Sequence, residues 1–237
     1  MKKSVLLVLI CFYCSNLINA QIQEEYFISR WTNFNPKISF YPEVTNILEG
    51  KIEKNYTLTN NKTYLLKGNV YVSNNAILTI EPGTIIRGDE ESCGTLIITK
   101  GSKIIANGTK INPIIFTSNK ESVSRKAGDW GGLIILGDSN VNKIGGLSFL
   151  DLGLDRSLSI YGGNNTESNS GILNYVRIEY AGRKLIKQEK EHNGLSLAGV
   201  GNKTILNNIQ ISYSNDDSFE FYGGNVTVEN LISFRAT

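Results

Sequence analysis

The chain is short of the residues that most reactions and most staples need. Its 237 residues include one His, one Met, two Trp, three Cys and four Pro. With a single histidine, a His–His metal pair cannot form. It also lacks an excess of either charge, since 24 Lys and Arg face 22 Asp and Glu. That balance excludes a strongly basic nucleic-acid binder and an acidic tail protein. Charged residues make up only 19%, below the usual share of about 25%. Beyond the N-terminus no apolar run is long enough to cross a bilayer, which takes about 20 residues as a helix.

The polar role falls to asparagine, with 27 copies, and there are 23 glycines. Together with 41% hydrophobic content, a chain rich in Asn, Gly, Ile and Thr reads as β-structure with many tight turns. Met1 to Ala20 reads as a signal peptide: Lys2 and Lys3 precede the apolar stretch Val5 to Tyr13, and Ala20 supplies a small residue at the cut. Cleavage would remove two lysines and leave 22 residues of each sign. It would also remove Cys11 and Cys14, so that Cys93 has no partner for an internal disulfide. Cys93 is expected to be a plain thiol, because the only His, His192, is far away in sequence. The chain is therefore read as secreted or displayed at the cell surface, with no membrane span after cleavage and no nucleic-acid partner.

Residues 21–63 form a leader or N-terminal cap, expected to cover the first layer of a repeating body. From Tyr64 onward short β-branched runs repeat. The skeleton L-x-I-x-x-G-[ST]-x-I occurs at Leu78–Ile86 and again at Leu96–Ile104. Leu133-Ile134-Ile135 echoes Leu96-Ile97-Ile98, and Ile205–Tyr213 echoes Ile172–Tyr180. Tyr161-Gly162-Gly163-Asn164 returns as Tyr222-Gly223-Gly224-Asn225. A period of about 20 residues, strand-like alternation and no helical stretch point to a solenoid of strands. The fold expected is all-β: a right-handed parallel β-helix over 64–237, of roughly eight or nine turns. Like residues should stack about 4.8 Å apart, with Gly and Asn at the corners. Lys184 to Asn193 should be a charged surface insertion. The chain stops at Thr237 directly after a strand, which suggests truncation at the C-terminus.

Several stretches together resemble the secreted right-handed β-helix proteins of Bacteroidota, within the pectin-lyase-like architecture. They are Leu78 to Gly88, Gly94 to Ser118, Gly128-Asp129-Trp130-Gly131-Gly132, Tyr161 to Gly171, Tyr175 to Gly182, and Asn215 to Gly224. The resemblance implies an exported protein that often carries a type IX sorting domain, which this sequence does not show.

Asp216, Asp217 and Glu220 are the strongest polar cluster. Hard oxygen donors on one turn would suit calcium, although no cofactor is required. Two carboxylates could also serve glycosidic cleavage, and a solvated acidic corner is the plainest reading. Trp130 is either a sugar-stacking platform or, more simply, a plug at a corner of the core. His192 is expected to be solvated. The sequence favours a non-enzymatic structural, adhesive or glycan-binding role, with extracellular glycans or cell-surface components as partners. The alternative is a polysaccharide lyase or glycoside hydrolase acting through Asp216, Asp217 and Glu220.

Overall fold

The computed structural model describes residues 28–185 and 190–237. The expected signal peptide lies outside them, as does part of the charged insertion. Apart from a helical residue at Ile28 and three 3-10 turns of three residues each, all regular structure among the described residues is strand. The strands form a right-handed parallel β-helix with three faces.

On the first face, strands pair in parallel from Asn46–Ile52 through Thr63–Val72, Ile85–Gly88, Ile114–Ser118, Gly171–Glu179 and Ile205–Ser212 to Val228–Phe234. That makes seven rungs among the described residues, six of them in the 64–237 span where eight or nine were expected. The difference is spent in excursions of the chain that leave the coil between faces, chiefly 119–131, 138–170, 180–185 and 190–194. The first rung begins at Asn46 rather than Tyr64, so part of the segment read as a leader is already coil.

The interior is a set of ladders. Tyr64, Ile86, Phe116, Ile178 and Ile211 stand in register on the first face. Val70, Leu96, Leu133 and Leu195 do so on the second. Leu58, Ile80, Ala106, Leu173 and Leu206 do so on the third. All are buried in one continuous core. Buried aliphatic side chains contribute about 1.5–3 kcal/mol each, so stacking like on like rewards a repeating sequence. Asparagines extend the ladder at the corner between the third and first faces. Asn174 Nδ2 donates to Asn107 Oδ1 at 3.0 Å, Asn208 Nδ2 to Asn174 Oδ1 at 3.0 Å, and Asn230 Nδ2 to Asn207 Oδ1 at 2.8 Å.

Some echoes mark something other than successive rungs. Leu78 stacks on Ile104, whereas Leu96 stacks on Val70 and Leu133. The two leucines therefore occupy different faces. Their shared skeleton encodes one kind of corner, used twice within a coil: Thr84 N–H donates to Glu81 O, and Ser102 N–H donates to Thr99 O. Tyr161 likewise is not a rung. It belongs to an antiparallel pair, Ser148–Phe149 with Ile160–Tyr161, and its ring lies 6.3 Å from that of Tyr222. By contrast, the echo of Ile172 in Ile205 is a true register, as is that of Leu96 in Leu133.

Two segments cover the outside of the coil. The 138–168 excursion lies over the second face, where outward-pointing Ile97 and Ile134 meet Leu150, Leu152 and Tyr161 in a second core. From residue 28 to residue 45 the leader lies on the side of the coil. It runs back along the outer side of the first face, from Gln210 to Arg87. Asn33 exchanges two hydrogen bonds with the Gln210 amide, at 2.7 and 3.0 Å. Tyr41 Oη donates to the Glu179 carboxylate at 2.9 and 3.0 Å. Arg87 Nη1 donates to Pro42 O at 3.1 Å. No helix among the described residues is long and apolar enough to cross a membrane.

Candidate functional site

The corner between the first and second faces gathers the polar chemistry. After each strand of the first face the chain must turn before entering the second, and at four successive levels that turn carries charged or amide side chains. Glu90 comes from the connection after Ile85–Gly88, and Lys126 from that after Ile114–Ser118. Arg183 and Lys184 follow Gly171–Glu179, and Asn215 follows Ile205–Ser212. These residues, with Ala127 and Gly128, line a cleft of about 300 Å³.

Its floor is an ion-pair chain. Lys120 Nζ lies 2.6 Å from Glu90 Oε1 and 3.0 Å from Asp129 Oδ1. Arg183 Nη1 sits 3.6 Å from Glu90 and donates to Gly128 O at 3.3 Å. The hydrogen bond from Lys120 holds the Glu90 carboxyl below its usual range, helped by the nearby positive charges. Asp129 is fully buried and organises the loop, accepting from Ser118 Oγ at 2.7 Å and from Lys126 N–H at 3.0 Å. Lys184 pairs with Glu191 on the rim, and that hydrogen bond raises the lysine's pKa.

The structure separates the three acids singled out in the sequence. Asp216 is hydrogen-bonded to Glu191, and burial, with that bond, pushes its carboxyl up. Asp217 is exposed, and its backbone carbonyl accepts from Gly194 N–H at 2.9 Å. Glu220 points outward from the second face and accepts from Asn193 Nδ2 and Tyr222 Oη. Their donors do not converge as calcium ligands. Among the described residues no three His, Cys, Asp or Glu side chains come together to hold a metal ion.

Trp130 is not a sugar platform. It is fully buried, its ring stacks on Phe116 at 6.4 Å and 14°, and its indole N–H donates to Glu179 O at 2.8 Å. The neighbouring glycines are required by close approach. A Cβ at Gly131 would stand 1.9 Å from Thr95 Oγ1, and one at Gly132 would stand 2.2 Å from Asn193 O. The Gly128-Asp129-Trp130-Gly131-Gly132 motif thus closes a corner of the coil, with Gly128 at the edge of the cleft.

His192 is buried at 2% exposure, not solvated, and burial lowers its pKa to about 4. It shares a cleft of about 310 Å³ with Cys93 despite their separation in sequence. The pair is not an activated thiol and base. Burial pushes the Cys93 thiol up, and its hydrogen-bond partner is Thr95, whereas reactivity needs a thiolate.

The sequence reading missed Glu90, Lys126, Lys184 and Glu191 as site residues. Their common signal was positional: each lies in a connection that departs or returns at one corner. Connections of unequal length hid that alignment.

A three-faced parallel β-helix with a charged corner cleft defines the class. The chain belongs to the pectate-lyase-like beta helix domain family, whose model matches residues 50–237. Neither a curated protein nor a solved structure matches the chain.

Proposed function

We propose that the protein is exported and acts outside the cell or at its surface as a non-enzymatic β-helix that binds an acidic glycan. The corner cleft carries this reading. Lys126, Arg183 and Lys184 converge there with the Asn215 amide, and Glu90, the opposing acid in the lining, is already tied to Lys120. A guanidinium fork and ammonium groups suit carboxylates or sulfates, and an amide suits hydroxyls. Lys184 is stabilised as the charged ammonium by Glu191. It is suited to binding an anion, not to taking a proton.

A second reading rests on Asp216. Its raised pKa and its bond to Glu191 would leave a proton donor close to the cleft lining, as a glycosidase acid needs. One experiment separates the two. The protein is titrated calorimetrically with polygalacturonate, alginate and neutral dextran, and the same samples are followed for unsaturated-product absorbance and reducing ends. Binding to the acidic polymers alone is expected, without product, and weakened at least tenfold by Arg183→Ala with Lys184→Ala. Equal binding to dextran, or no binding, overturns the proposal. Product release abolished by Asp216→Asn would establish the enzymatic reading instead.

A further inference from the structure

The first coil is open at its end. Strand Asn46–Ile52 pairs along one edge with Thr63–Val72, and its other edge has no strand partner among the described residues. The described residues upstream turn away along the side of the coil, as Asn33 and Tyr41 show, and add no rung. The end carries a hollow of about 430 Å³, lined by residues including Ile47, Leu48, Ile52 and Tyr56. Ile47 is 58% exposed and Tyr56 43%. An open strand edge beside apolar side chains is a pairing hazard unless something occupies it.

We propose that this end is a two-fold interface at which two copies of the chain join, strand Asn46–Ile52 pairing antiparallel with its own copy about Gly50. The sequence of the rung is complementary to itself in that register. Centred on Gly50, Leu48 faces Ile52 and Glu49 faces Lys51, and the two-fold axis makes each pair occur twice. Gly50 is the corner between the first and second faces, with φ at +70° and no atom within 4 Å of a Cβ placed there. A two-fold axis through that corner exchanges those two faces and returns the third face onto itself. Tyr56–Leu58 then pairs antiparallel about Thr57, with Tyr56 facing Leu58. When two coils meet head to head their strands necessarily run in opposite directions, as this pairing requires. Opposite charges directly across an antiparallel pair stabilise it, and like charges destabilise it. Isologous contacts of this kind close at two copies and do not propagate.

Sedimentation velocity on the purified protein tests the proposal. A dimer is expected, with end-to-end dimensions by small-angle scattering. Glu49→Lys alone, or Lys51→Glu alone, sets like charges across both pairs and should weaken association at least tenfold. The double swap Glu49→Lys with Lys51→Glu should restore it. Both side chains are exposed, so the circular dichroism spectrum should keep its wild-type form in all three variants. A monomer at every concentration tested overturns the proposal. A dimer indifferent to the single swaps, or one not rescued by the double swap, also overturns it.

Discussion

His192 sits almost fully enclosed between the second face and the 138–168 excursion, and its imidazole stays neutral because burial disfavours the charged form. Its pKa falls from 6.5 to about 4. The unfolded chain therefore binds a proton that the folded chain refuses between those values. Stability from this group is complete above pH 6.5, falls as pH drops toward 4, and levels off below. Between pH 7.5 and 4.5 the loss works out at about 2–3 kcal/mol, taking 1.36 kcal/mol per pKa unit. Carboxylates also titrate there, so the comparison must be between chains. Urea denaturation of the wild type and of His192→Gln at both pH values isolates the contribution. The wild type should lose about 2–3 kcal/mol more than the variant on acidification. Equal losses in the two chains would show that the imidazole is not held neutral, and the reasoning from burial would fail.

Tyr41→Phe removes the hydroxyl that ties the leader to the buried Glu179 carboxyl and should cost about 1–3 kcal/mol in urea denaturation; an unchanged midpoint would mean the leader is held by its other contacts. Trp130→Ala should cost about 3–5 kcal/mol, the range for truncating a buried aromatic, measured the same way. It should leave the affinity of folded protein for polygalacturonate intact, since the indole does not reach the cleft surface.

The architecture was legible because a β-helix writes its geometry into its sequence. Register across a parallel ladder is fixed by backbone hydrogen bonds, so each inward position sees the same apolar neighbours at every level. Ile172 over Ile205 and Leu96 over Leu133 are the visible result. Corner chemistry was legible too, since Gly83 and Gly101 both take positive φ at equivalent turns. What misled was treating every echo as one coil. Leu78 and Leu96 share a corner type, and a local turn motif carries no information about which face comes after it.

That strands would coil and stack could be read from the residues alone, because it depends on local alternation, turn residues and repetition. Which side chains meet across the coil emerged only once the chain was folded. Asp216 bonds Glu191 rather than Glu220, His192 is enclosed beside Cys93, Trp130 faces inward, and four connections supply one cationic cleft. Neighbours along the axis are separated in sequence by whole coils plus insertions of unequal length. Distance along the chain therefore says nothing about distance across a corner, which the hydrogen-bonded register alone sets.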